Sequence, residues 1–274
     1  MEATLPPVVT LLNQKGGVGK SSTCHHLAGT LALMGRRVLL IDNDPQSSLT
    51  QGLWGPTHAR CIDPAETVAA IYRGEEPFPD QVIRPSGVPG VDLLAGSRAA
   101  NDFNLPRPQD QPYEAQTCLR EFLSGVDGYD ITLIDCPPNL CLCSWAALVA
   151  STHLVVPLQA EDYGAQGIMD VQDSVAMVQA GPNPDLALLG YLITMFAPRK
   201  TVHRLYEQQL RDLYGSDVLA TMIPHAAEYP EAIAYRKPIV NHKPKGAAAK
   251  AVRALADELL SRLSDAPCMK REVA

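Results

Sequence analysis

An apolar run, Val8 to Leu12, leads into Asn13-Gln14-Lys15-Gly16-Gly17-Val18-Gly19-Lys20-Ser21-Ser22, and a helix-forming run, Ser22 to Met34, follows. A strand, a glycine-rich turn and a helix in that order make a phosphate-binding loop. Glycines let the backbone curl until several N–H groups face one anion, and the next helix presents its positive end to the same point. The spacing assigns Lys20 to the β- and γ-phosphates of a nucleotide and the Ser21 hydroxyl to Mg²⁺. Lys15, Gly16, Gly17, Val18, Gly19 and Ser22 complete the cradle. The usual pattern has glycine where this chain has Gln14, and it does not ask for Lys15. A second lysine ahead of the glycine pair points to a particular class of nucleotide hydrolase.

The rest of the chain predicts an α/β protein of the P-loop NTPase type, a mostly parallel, doubly wound sheet with helices on both faces. Apolar runs at Val8–Leu12, Val38–Ile41, Ile131–Ile134, Leu154–Pro157 and Leu186–Thr194 read as strands buried on both sides. Helical stretches lie between and after them at Ser22–Met34, Tyr113–Leu123, Gly164–Ala180, Thr201–Tyr214 and Ala247–Leu263. Residues 1–264 are expected to form one domain. Within it, residues 57–112 are rich in Pro, Gly and Asp and read as an irregular surface elaboration, with a short helix after Asp63-Pro64 and a strand at Val91–Leu94. Residues 265–274 are expected to be a flexible tail.

Two further strands end in carboxylates. Val38-Leu39-Leu40-Ile41 runs into Asp42-Asn43-Asp44-Pro45-Gln46, and Ile131-Thr132-Leu133-Ile134 runs into Asp135-Cys136-Pro137-Pro138. In a parallel sheet the C-terminal strand ends open onto the ligand crevice, beside the phosphate loop. Asp42 and Asp44, alternate residues of an extended chain, can face the same way. Asp44 is then placed to orient or polarise the attacking water. Asp135 is the metal-side aspartate, and Asp42 and Ser21 share the Mg²⁺ site with it. Phosphoryl transfer to water needs positioning and positive charge, so Lys15, Lys20 and Asp44 are the catalytic candidates. Lys15 sits too early in the loop to curl readily onto its own γ-phosphate. It is expected to cross a dimer interface and contact the partner's nucleotide.

Net charge is −7, which argues against a chain coated for nucleic acid. From Arg199 to Arg253, however, ten Lys/Arg stand against five Asp/Glu, so this segment is +5 and the remainder −12. No run approaches the ~18–20 apolar residues of a membrane helix, and no secretion signal opens the chain. Seven cysteines without framework spacing read as reduced thiols, which together with the missing signal gives a cytoplasmic expectation.

These motifs resemble the ParA/Soj branch of the deviant Walker A ATPases, relatives of MinD. Lys15 to Ser21 matches the deviant Walker A string, Asp42 to Gln46 switch I, and Asp135 to Pro138 Walker B with switch II. Pro157-Leu158-Gln159-Ala160-Glu161 with Tyr163 and Gly167, then Thr194-Met195-Phe196 with Arg199, Ile223-Pro224, and the run from Lys245 to Leu260 also match. The resemblance implies ATP/ADP with Mg²⁺ as cofactors, Pro224 at the nucleotide, and an ATP-driven sandwich homodimer. It also implies non-specific DNA binding, hydrolysis stimulated by a ParB-like partner, and a place on the nucleoid. Candidate DNA contacts are Arg199, Arg204, Arg236, Lys237, Lys243 and Lys245. One departure weakens that expectation: family members usually carry arginines after the Ile-Pro pair, whereas this chain has His225 and Glu228.

A positioning ATPase for another cargo, on a protein scaffold or a membrane, is the alternative. The last residues, Ser264 to Ala274, are too short and polar for a membrane-binding helix. A redox ATPase needs a second suitably placed cysteine that the chain lacks, and a non-hydrolysing module would not retain both Lys20 and Asp44.

Overall fold

The computed structural model describes residues 6–160 and 164–265, with side chains omitted for 164–167. Seven strands form one sheet: β1 Val8–Leu11, β2 Val38–Asp42, β3 Ile83–Pro85, β4 Val91–Leu94, β5 Ile131–Asp135, β6 His153–Gln159 and β7 Ala187–Thr194. Their spatial order is β3-β4-β2-β5-β1-β6-β7. All neighbours are parallel except the edge pair β3 and β4. The mostly parallel sheet expected from the continuous apolar strands is therefore present.

Side chains alternate between two cores. Leu39 and Ile41 of β2, with Ile134 of β5, pack on the face covered by the helices Tyr113–Ser124 and Leu142–Ala150. Val38 and Leu40, with Ile131 and Leu133, pack on the other face, against Leu27 and Leu31 of the helix Lys20–Leu33 and Val252, Leu255 and Leu259 of Ala247–Asp265. A strand buried on both sides shows no polar alternation, and for that reason these runs read as uniformly apolar.

Residues 57–112 carry the expected strand at Val91–Leu94, and they are built into the sheet and its core rather than laid over the surface. They contribute β3 and β4 to the sheet and the helix Val68–Tyr72, every residue of which is buried. Tyr72 donates a hydrogen bond to Asn43 Oδ1 at 2.8 Å, and Asn43 Nδ2 donates to the Cys143 carbonyl at 2.7 Å. The chain just after β2 is thereby pinned from below. The helix Leu142–Ala150 is not visible in the sequence pattern because all nine of its residues are buried, so it carries no amphipathic period.

The helix Lys20–Leu33 is fixed along its length. Thr30 Oγ1 donates to the His26 carbonyl at 2.8 Å, and His26 Nδ1 accepts from the Ile239 N–H at 3.1 Å. Gly29 lies so close to Pro238 that a Cβ there would stand 2.1 Å from the ring. Alanine at position 29 gains ~1 kcal/mol of helix propensity but overpacks this contact at a cost of ~1–3 kcal/mol or more. Gly29→Ala should lower stability in urea denaturation, and a stabilised variant would contradict this packing.

Candidate active site

The phosphate loop leaves β1 between β5 and β6, at the end of the sheet where β2 and β5 finish in Asp42 and Asp135. Gly17 and Gly19 take φ of 77° and 85°, a conformation costly to any residue with a Cβ, and Gly19 caps the helix that starts at Lys20. The loop is braced by Asn13, whose role local spacing does not reveal. Asn13 Nδ2 donates to the Pro157 carbonyl at 2.7 Å, and its Oδ1 accepts from the Lys15 N–H at 2.8 Å. From the other side Thr194 Oγ1 donates to the Val18 carbonyl at 2.8 Å, and Gln159 Nε2 donates to that of Gly17 at 3.2 Å. Polar residues at the last positions of β6 and β7 were the available signal. Gly16 and Gly17 are exposed, Lys15, Ser21 and Ser22 half-buried, and Val18 and Lys20 buried.

Lys20 folds back into the loop, with Nζ donating to the carbonyls of Asn13 at 3.0 Å and Lys15 at 3.1 Å. Burial pulls its pKa below the ordinary value, and the fields of Asp135 and Asp44 oppose that pull. Two of the predicted carboxylates, Asp135 and Asp44, act on it directly, and Asp42 lies beside them. Asp42 and Asp135 are direct register partners on adjacent strands. Asp42 Oδ2 accepts from the N–H and hydroxyl of Thr50 at 2.7 and 2.6 Å, and its Oδ1 is buried without a full hydrogen bond among the described residues. Asp44 Oδ1 accepts from the Gln46 N–H at 2.8 Å. Both oxygens of Asp135 are buried without a full hydrogen bond among the described residues.

Burial is the main cause that raises all three carboxyl pKa values: Asp42 to about 7, Asp44 upward, and Asp135 well above the usual range, where Asp42 adds to the effect. Ser21 and Lys20 offset part of it at Asp135. Unsatisfied buried carboxylate oxygens are what a cation site requires. No group of three His, Cys, Asp or Glu among the described residues is arranged to hold a metal alone. This suits Mg²⁺ bound to a nucleotide, whose ligands are mostly phosphate and water.

Pro224 bridges Phe196, and the neighbouring Met195 methyl lies within van der Waals reach of a Cβ built at Gly19. Glu161 and Tyr163 lie outside the described residues, and Gly167 sits in the helix Gly164–Gln179. The candidate DNA-contact residues Arg199, Arg204, Arg236, Lys237, Lys243 and Lys245 are all exposed. Lys243 is not an independent cation, because Glu231 binds its Nζ at 2.6 Å and reaches His242 at 3.3 Å. Among the described cysteines Cys24, Cys136 and Cys143 are buried, Cys61 is exposed, and none is in a disulfide.

Fold and site together define a P-loop nucleoside triphosphatase. The chain matches an AAA-domain family model over residues 7–188. It is 37% identical over 263 residues to the chromosome-partitioning ATPase Soj of Thermus thermophilus, covering 94% of this chain and 97% of that one. It is 31% identical over 268 residues to the chromosome partitioning protein ParA of Caulobacter vibrioides, covering 97% and 98%. Among solved structures it is similar to a cobyrinic acid a,c-diamide synthase from Mycobacterium smegmatis with ADP and magnesium, at TM-score 0.80 and 29% identity over 98% of this chain and all of that one. The chain belongs to the ParA/Soj family.

The raised pKa of Asp42 gives a pH signature. Its folded value of about 7 exceeds the ordinary 3.8, so between these values the folded state holds a proton that the unfolded state releases. Without nucleotide, this group's contribution falls as pH rises from about 4 to about 7 and then levels off. His25 and His26, held at about 4 and about 3 by burial, act oppositely and lose stability as pH drops below 6.5. Their effect cancels between wild type and Asp42→Asn. The variant should gain over wild type as pH rises, by up to ~4 kcal/mol near neutrality, in urea denaturation across pH. A pH-independent difference would contradict this.

Proposed function

We propose that this chain is a Mg²⁺-dependent ATPase that works as a dimerising switch in chromosome or plasmid partition. The observation that carries the reading is the burial of Asp42, Asp44 and Asp135 beside Lys20 at the open end of the phosphate loop. Isolated, such a group of carboxylates is strongly unfavourable, and a nucleotide-bound cation removes the penalty.

Ser21 and Asp135, with Asp42 behind them, are the residues that would hold Mg²⁺, which would neutralise phosphate charge. Lys20 gives up its bonds to the Asn13 and Lys15 carbonyls in favour of phosphate oxygens. The loop N–H groups cradle the phosphates, and Pro224 flanks the nucleotide. Asp44 orients the water that attacks the γ-phosphorus as the bond to the bridging oxygen breaks. Lys15, adjacent to the exposed Gly16 and Gly17, is suited to reach a partner's nucleotide, which makes a sandwich homodimer the hydrolysing form. A ParB-like partner stimulates hydrolysis, and non-specific DNA on the nucleoid is the surface bound through Arg199, Arg204, Arg236, Lys237 and Lys245.

The ion pair of Lys243 with Glu231, and His225 and Glu228 after the Ile-Pro pair, favour a second reading: a positioning ATPase with little DNA binding. No helix among the described residues is long and apolar enough to cross a membrane.

Phosphate release should fall ~10²-fold or more in Lys20→Ala and in Asp44→Ala, and Asp44→Ala should keep ATP binding and trap the dimer on size exclusion. Lys15→Ala should bind ATP yet lose both dimerisation and hydrolysis, and retention of both would remove its cross-dimer role. With ATP, duplex DNA should bind weakly and lose affinity steeply as salt rises. No binding at low salt in a filter assay would favour the second reading and leave the ATPase intact.

A further inference from the structure

The helix Ser48–Trp54 joins the carboxylate site to the basic segment. Near its start, Thr50 donates both its N–H and its hydroxyl to Asp42 Oδ2, and the same hydroxyl oxygen accepts from the Gly96 N–H at 2.8 Å. Halfway along, Gly52 faces the Ile233 methyl, 3.2 Å from where a Cβ would stand. The helix ends at Gly55, whose φ of 85° and ψ of 153° are accessible essentially to glycine alone. The Arg236 guanidinium packs against that glycine, with a nitrogen 2.4 Å from the position of an added Cβ. The neighbouring residues of the basic segment are gripped from the other side by the phosphate-loop helix, through the His26–Ile239 hydrogen bond and the Gly29–Pro238 contact. Both helices that hold this segment therefore begin at the proposed nucleotide site, one at Lys20 and the other just past Asp44.

We propose that Thr50 is a positioning residue that makes this helix a lever between the carboxylate site and Arg236. The inference rests on the proposed binding of Mg²⁺-nucleotide beside Asp42. The Asp42 carboxylate can shift only by drawing on its two bonds to Thr50, and with them the helix. The helix end sets the place of Gly55, which is the platform under the guanidinium. With the platform in the position shown, Arg236 is exposed but its guanidinium is packed against Gly55. When the helix turns, the platform withdraws and Arg236 is presented to an anionic partner. An open cavity of about 820 Å³ bounded by Leu53, Trp54, Arg84 and Arg236 leaves the helix end room for that turn.

Trp54 reports the movement directly. It is one of two tryptophans, it lines that cavity, and its Nε1 donates to the Pro85 carbonyl at 3.3 Å; the other, Trp145, is buried. The experiment measures acrylamide quenching in the full chain with and without Mg²⁺ and a non-hydrolysable ATP analogue. The Trp54→Phe signal is subtracted, and binding is followed separately with a fluorescent nucleotide. Nucleotide should change Trp54 quenching about twofold in wild type. Thr50→Val should bind nucleotide within about fivefold of wild type and lose the response, with Thr50→Ser restoring it. Arg236→Ala should keep the Trp54 response and lower binding of the nucleotide-loaded chain to a DNA duplex about fivefold. If the fluorescent nucleotide binds and Trp54 quenching does not change, or if Thr50→Val responds as wild type does, the lever is overturned and the ATPase reading stands. If wild type binds no nucleotide, both are overturned.

Discussion

Three carboxyl groups and one ammonium are taken out of water at one end of a parallel sheet, and much of the surrounding structure serves to hold them there. Asp42 and Asp135 end adjacent strands in direct register, Asp44 follows after a single residue, and Lys20 opens the helix above them. Lost hydration raises all three carboxyl pKa values, and repulsion between carboxylates adds to it at Asp42 and Asp135, so the ligand-free site is held at the expense of stability. What compensates is packing elsewhere: two apolar cores on either face of the sheet, a loop braced by Asn13 and Thr194, and a strand end pinned through Asn43. Sites that need charge in a dry place commonly depend on a rigid frame in this way.

The chain's pattern made most of this legible. Strand ends, glycine spacing and the order of motifs place Lys20, Asp42, Asp44 and Asp135 near one another because parallel strands always discharge their C-terminal ends to one side. Local pattern could not show the hydrogen bonds between distant segments. Nothing near Tyr72 in the sequence says that its hydroxyl meets Asn43, and nothing near Thr50 says that it holds Asp42. The same limit explains residues 57–112. Their prolines and glycines mark turns correctly, yet short strands and a five-residue buried helix leave too little periodicity to separate core from surface.

Charge was the least legible property. Between Arg199 and Arg253 the excess of basic residues is real, but a count treats every cation alike. In the fold, Glu231 takes up Lys243, Glu207 binds Arg211, and Arg236 rests on a glycine. The unpaired positive charge on this surface is therefore smaller than the count and is set by neighbours that sequence spacing does not reveal.

One edge of the sheet closes with β3, three residues that run against β4 and end in Pro85, whose carbonyl is already engaged by Trp54. A proline has no N–H to offer a further strand, and so short a segment gives little for another chain to pair with. Crowding many copies together at one place in a cell would normally invite strand-to-strand aggregation. This edge is built against it, so the sheet offers a second copy no ready strand to pair with on this side.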